Sequence, residues 1–312
     1  MLNDSRNTRR QFLTSSLAGL AGLGSLIVVG GLPLPGFAAE AAGDGGAPPA
    51  TAGFTFVQLS DLHIGFQGPK VNPEAEHTLE RVVAAVNALP VAPAFVVVTG
   101  DLTHQVDDAA ERLRRLQRVR DGLAGLKVPL LKVLPGEHDA ALDQGAAFKQ
   151  VFGPTHYSFN HQDVHFVVLD NVSDPQGALG VDQLTWLASD LKAVPNSRRI
   201  VVLVHRPLFD LAKPWDWYTR DGQQAIDLLM PFPDVTVFYG HIHQEHHATT
   251  GHIAHHAVRS PMFALPAPGS VPKKAPIPWD AAAPYAGLGW RTVAEGAAAT
   301  PATVHEHLLA GG

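Results

Sequence analysis

The sequence predicts an α/β domain with mixed sheets. Three observations carry that expectation. Short apolar, β-branched runs alternate with amphipathic segments in the order strand, helix, strand, helix, strand, which marks βαβ units. Two short strands and a helix follow in the middle, and the last third is β-like. At five places an apolar run ends and an Asp, Glu or His follows within a few residues. Open α/β sheets bind ligands at the carboxyl ends of their strands, so five such ends point to one shared site.

The chain opens with Asn7-Thr8-Arg9-Arg10-Gln11-Phe12-Leu13, a basic start with adjacent arginines. Residues 17–34 are apolar and Gly-rich, and Ala38, Ala39 and Ala41 suit cleavage. This is the layout of an export signal. It resembles a twin-arginine signal peptide, which implies use of the export machinery and a periplasmic or secreted protein. An uncleaved membrane anchor is the alternative. The glycines and the Pro33-Leu34-Pro35 break favour cleavage. The signal is placed at 1–40 and a flexible Ala/Gly/Pro-rich linker at 41–52, leaving 53–312 as one domain.

Within that domain the first run, 54–59, leads into Asp61-Leu62-His63. Leu79, Val82, Val83 and Val86 recur at helical spacing, so residues 73–89 read as a helix stopped by Pro90 and Pro93. The run 94–99 ends in Gly100-Asp101, and Leu113, Leu116, Val119 and Leu123 mark a second helix. The run 130–134 ends in Pro135-Gly136-Glu137-His138-Asp139. Residues 157–160 and 164–170 read as a pair of short strands, and Val181, Leu184, Leu187 and Leu191 as a helix. The run 200–204 meets His205, a helix is placed at 220–230, and the run 235–239 meets Gly240-His241-Ile242-His243. Strands are expected at 252–258, 290–295 and 302–308, with a Pro/Ala-rich loop region over 259–290.

Composition narrows the chemistry. With 312 residues and 46% hydrophobic content the chain can bury one large core. A net charge of −6 with no long basic block disfavours nucleic acid as a partner. No cysteine is present, so thiolate metal sites are excluded. The donors at the strand ends are carboxylates and imidazoles, which suit Mn, Fe or Zn. Seven such candidates exceed one four-coordinate ion and suit two ions sharing a carboxylate. Two metals about 3.5–4 Å apart can clamp the attacking and leaving oxygens of a displacement at phosphorus and generate the hydroxide nucleophile. Taken singly, Asp61 or Asp101 could be a helix N-cap and His138 a structural histidine.

The ordered set Asp61-x-His63, Gly100-Asp101, Gly136-Glu137-His138-Asp139, His205 and Gly240-His241-x-His243 resembles the calcineurin-like metallophosphoesterase superfamily over residues 54–243. The segments 157–159, 165–170 and 180–187 resemble its bacterial, cyclic-nucleotide phosphodiesterase-like branch. The resemblance implies a four-layer α/β/β/α sandwich and hydrolysis of phosphoesters. It implies that Asp61, His63 and His243 hold a first transition-metal ion, that Glu137, His205 and His241 hold a second, and that Asp101 bridges them. The ions are expected to be divalent or trivalent Mn, Fe or Zn. His138 would face the phosphoryl group and Asp139 would orient His138.

Glu137 stands where that family usually has Asn. A longer, anionic ligand raises the carboxylates to three, Asp61, Asp101 and Glu137. Retained metal binding with altered metal preference or turnover is expected. The alternative is a weakly active or inactive metal- or phosphate-binding protein. The expected substrate is a small-molecule or lipid phosphoester. Arg206 is a candidate phosphate contact. His104, His156, His246, His247, His252, His255 and His256 read as surface or strand residues with a lesser prospect of lining the substrate mouth. Trp215, Asp216, Trp217 and Tyr218 read as a packed lid, or as a wall that stacks a base.

Overall fold

The computed structural model describes residues 53–296 and 302–309, so the export-signal and linker readings at 1–40 and 41–52 lie outside the described residues. In the first sheet, β1 (Phe54–Leu59), β2 (Phe95–Thr99) and β3 (Leu131–Leu134) run parallel. Antiparallel β10 (Gly289–Glu295) and β11 (Thr303–Leu308) extend it in the order β11-β10-β1-β2-β3.

The second sheet contains β4 (Tyr157–His161), β5 (Val164–Val168), β6 (Arg199–Leu203), β7 (Val235–Tyr239), β8 (His246–Thr250) and β9 (Ile253–Ala257). Its order is β4-β5-β6-β7-β9-β8, with β5, β6, β7 and β9 parallel and a hairpin at each edge. The parallel strands β2, β5, β6 and β7 are buried along their whole length, as their unbroken apolar runs require.

Side-chain alternation divides the core into layers. Phe54, Phe56, Phe95, Val97, Phe166, Val201, Leu203 and Phe238 meet between the sheets. There Phe56 stacks on Phe95 at 4.9 Å and meets Phe238 edge-on at 5.6 Å. The intervening residues of the same strands, such as Val57, Leu59, Val96 and Val202, face the helices. These are α1 (Thr78–Asn87), α2 (Ala109–Leu123), α3 (Glu137–Ala140), α4 (Ala146–Phe152), α5 (Gly180–Lys192) and α6 (Gly222–Leu229). Two mixed sheets flanked by helices give the expected four layers.

Local chemistry explains the helix bounds. In α1, Leu79, Val82 and Val86 are buried, and the helix stops short of Pro90. Asp108 caps α2 by accepting from Glu111 N at 2.7 Å. The Glu111 carboxylate then pairs with Arg114 and Arg115 one turn on. A buried ion pair ties the sheets together: Arg199 of β6 reaches Glu295 of β10 at 2.9 Å and Asp234 at 2.8 Å. Among the described residues no helix is long and apolar enough to cross a membrane.

Candidate metal centre

All seven strand-end candidates converge on one place. Asp61 and His63 follow β1, Asp101 follows β2 and Glu137 follows β3, while His205 follows β6 and His241 and His243 follow β7. Asp61, His63, Asp101, His241 and His243 all have left-handed backbone, with φ of 57°, 44°, 49°, 66° and 54°. Non-glycine residues seldom take this conformation, and here it turns each side chain back over the strand ends. The approach is tight. A Cβ on Gly100, at φ 94°, would overlap the His205 ring, and one on Gly240 would overlap the Ser60 hydroxyl.

Three imidazoles are oriented by backbone carbonyls. His205 Nδ1 lies 2.7 Å from Thr99 O, His241 Nε2 2.9 Å from Asp216 O and His243 Nδ1 2.7 Å from Phe263 O. A carbonyl only accepts, so these nitrogens carry the protons and the opposite nitrogens turn lone pairs into the pocket. His205 Nε2 lies 2.8 Å from Glu137 Oε2, and His241 Nδ1 lies 2.9 Å from Glu137 Oε1. His243 Nε2 is 3.1 Å from His63 Nε2 and 3.3 Å from Asp61 Oδ1. Asp101 gives Oδ1 to the His138 backbone N–H at 2.9 Å. Its Oδ2 is 3.5 Å from His63 Nε2 and 3.6 Å from His205 Nε2, midway between the two groups.

These contacts test the pocket for a cation. Lone pairs face lone pairs, and the buried His205 Nε2 and Glu137 Oε2 have no hydrogen-bond donor between them. Only a shared proton or a cation resolves such a convergence. Asp61, His63 and His243 form one group of donors able to hold an ion, and Glu137, His205 and His241 form another. The same imbalance shapes proton affinity. Burial works against charge on His205, but Asp101 and Glu137 prevail and push it well up. Burial raises Glu137, yet His241 and His205 prevail and hold it well below the usual carboxylate range. Burial, reinforced by His138, drives His63 well down.

His138 stands at the rim, with Nε2 3.9 Å from Asp101 Oδ2. Asp139 does not take the orienting role expected of it. Its carboxylate accepts from Leu102 N, Thr103 N, Thr103 Oγ1 and Gly136 N at 2.8–3.0 Å, pinning the loops after β2 and β3 together. Burial and nearby Asp101 raise it to about 6. His138 is oriented instead by the Gln105 backbone N–H, which donates to Nδ1 at 3.0 Å. Its proton therefore sits on Nε2, the nitrogen that faces Asp101.

Other residues join the centre. His104 sits beside it, Nδ1 to Nδ1 at 3.4 Å from His63, and burial lowers it to about 4. Phe263 lies against His63 and His243 with ring centroids at 4.9 and 4.5 Å. Asp216 binds His241 through its carbonyl and Arg206 through its carboxylate at 2.7 Å. Of the remaining histidines, His156 packs on Trp186, His246 meets the Tyr239 hydroxyl, His252 meets Phe232 O and His247 faces His256 across the β8–β9 pair. His255 is fully buried against Phe209.

A thiolate-free nest of carboxylates and imidazoles at the strand ends of paired mixed sheets has the donor set of a metal-dependent hydrolase. The calcineurin-like phosphoesterase model matches residues 54–245, and the chain belongs to that family. Among curated proteins it is similar to a 3',5'-cyclic adenosine monophosphate phosphodiesterase of Vibrio vulnificus, 27% identical over 61% of this chain and 69% of the relative. A 3',5'-cyclic-nucleotide phosphodiesterase of Nostoc is 28% identical over 61% of this chain and 72% of its own. A serine/threonine-protein phosphatase of Danio rerio is 27% identical over 50% of this chain and 57% of its own. The fold is similar to that of a purple acid phosphatase from yellow lupin, with TM-score 0.61 and 13% identity over 84% of this chain and 52% of that one. It is also similar to a dimetal phosphatase from Danio rerio, with TM-score 0.55 and 15% identity over 81% of this chain and 99% of that one.

Proposed function

We propose that this chain is an exported phosphoesterase with a two-ion centre, acting first on small phosphodiesters of the cyclic-nucleotide kind and second on phosphomonoesters. One observation carries the reading: two groups of buried donors share Asp101 between them, with lone pairs that nothing but protons or cations can satisfy. Asp61, His63 and His243 would hold one ion, Glu137, His205 and His241 the other, and Asp101 both. Mn, Fe or Zn suits these donors. Such ions supply charge neutralisation at the phosphoryl group and an activated water for attack at phosphorus.

The chain's own residues then have definite roles. His138, held by Gln105 N–H, presents Nε2–H to the phosphoryl or leaving oxygen as a hydrogen-bond donor that stabilises the negative charge developing there. Thr99, Asp216 and Phe263 fix three donor rings through their carbonyls. Asp139 keeps the His138 turn against the loop after β2. The similarity to two cyclic-nucleotide phosphodiesterases supports a diester substrate. The arginine pair Arg9-Arg10 ahead of an apolar stretch supports export to the periplasm or beyond.

The test is metal analysis paired with hydrolysis. The mature chain should carry two metals and cleave a chromogenic phosphodiester faster than the matching monoester when Mn²⁺, Fe²⁺ or Zn²⁺ is supplied. Fractionation of the native host should place it outside the cytoplasm. A second reading follows from Glu137, whose carboxylate spans His205 and His241 and adds a third negative charge. Full metal occupancy with no turnover of either ester would favour a binding protein instead.

A further inference from the structure

Arg206 has a role that the metal ligands do not define. Asn171 clamps its backbone from both sides, accepting from Arg206 N at 3.2 Å and donating to Arg206 O at 2.9 Å. Its side chain is only 10% exposed, and Nη1 is held 2.7 Å from Asp216 Oδ2. Its Nε–H is buried and has no acceptor. That nitrogen lies 3.7 Å from Glu137 Oε2, too far for a hydrogen bond and near enough for charge to be felt. A guanidinium has thus been fixed in place with its buried Nε–H unspent beside the candidate ligands. Buried donors seek acceptors, and phosphoryl oxygen is the acceptor whose geometry and charge suit arginine.

We propose that Arg206 binds a non-bridging phosphoryl oxygen of the substrate through Nε–H and offsets the charge of Glu137. The inference rests on the metal-dependent phosphoesterase reading above. It explains how a site with three carboxylates receives an anionic ester: the arginine returns one positive charge beside the third carboxylate. Asp216 keeps the guanidinium aligned, since its carboxylate grips Nη1 while its carbonyl holds His241.

Calorimetry on the full mature chain tests this without any turnover measurement. Mn²⁺ is titrated into chelator-stripped protein, and inorganic phosphate into the Mn²⁺-loaded protein, for wild type, Arg206→Met and Arg206→Lys. Circular dichroism reports the fold of each. Arg206→Met should bind phosphate about tenfold more weakly or worse, the scale of one charge-assisted hydrogen bond, and should bind Mn²⁺ more tightly because Glu137 is no longer offset. Arg206→Lys keeps the charge without the Nε–H donor, so its phosphate affinity should fall between the two. Unchanged phosphate affinity in Arg206→Met, or in Arg206→Lys if the Met variant does not fold, overturns the phosphoryl role. Unchanged Mn²⁺ affinity in Arg206→Met overturns the offset. A wild-type chain that takes up no Mn²⁺ overturns the metal-dependent reading itself, and a wild-type chain that binds Mn²⁺ and phosphate separates the two failures.

Discussion

Acidification should unlock the fold through His255. The ring is fully buried against Phe209, and neither of its nitrogens has a hydrogen-bond partner. Burial lowers its pKa from 6.5 to about 4. The unfolded chain therefore binds this proton in a window where the folded chain does not. Stability is complete above the unfolded value and is lost as pH falls toward the folded one. Between pH 7 and pH 5 that difference in proton uptake costs ~2 kcal/mol. The assay is denaturant unfolding of wild type and His255→Leu at pH 7.5, 6.5, 5.5 and 5, with chelator present throughout. Leucine changes packing by an amount that does not vary with pH, and His256 titrates in both proteins. The wild-type stability minus that of the variant should fall by ~2 kcal/mol from pH 7 to pH 5. A difference that stays flat would refute the claim that His255 is buried neutral and unpartnered.

Three further outcomes are expected. Glu137→Asn should lower retention of the second ion by on the order of tenfold or more in competition with a chelator, and should change turnover per bound ion. Unchanged metal content and rate would count against Glu137 as a ligand. His138→Ala should leave metal content intact and lower kcat by about 10²–10³-fold, since it removes the Nε2–H hydrogen bond to the phosphoryl or leaving oxygen; equal loss of metal and rate would show that the residue is structural. Glu295→Ala should cost roughly 3 kcal/mol in urea unfolding, because it strips a buried partner from Arg199 while Asp234 stays in place. A change below the error of the extrapolation would show that the pair between the sheets is solvated.

The candidate ligands were legible because each follows its strand directly. Asp61, Asp101, Glu137, His205 and His241 need only a strand end to be placed. The rest depends on information spread along the chain. The carbonyls of Thr99, Asp216 and Phe263 that orient the rings leave no mark in residue type. Asp139 looked like a partner for the adjacent His138, but four donors from 36–37 residues earlier and from Gly136 claim it. The short helices α3 and α4 escaped because four and seven residues give little periodicity. Strand β8 escaped because its His-Ala-Thr sequence is half exposed at a sheet edge. In the 215–218 cluster Trp217 is fully buried, and the tie of this segment to the candidate metal centre runs through the backbone of Asp216. The loop region at 259–290 also sends a residue inward: Ser260 Oγ donates to Asp61 O at 2.7 Å.

The division of donors between the sheets has a mechanical meaning. The first sheet supplies every carboxylate, from Asp61, Asp101 and Glu137, with a single imidazole from His63, while the second supplies His205, His241 and His243. The first half is an acidic patch and the second a set of imidazole nitrogens. The full donor set assembles only once the seam between them has closed. An ion seated there would act as a clasp across that seam, and its binding energy would be drawn upon whenever the halves slide or part. Metal occupancy would then report on assembly as much as on catalysis, and stripping the ions would be felt first as slack between the two halves of the sandwich.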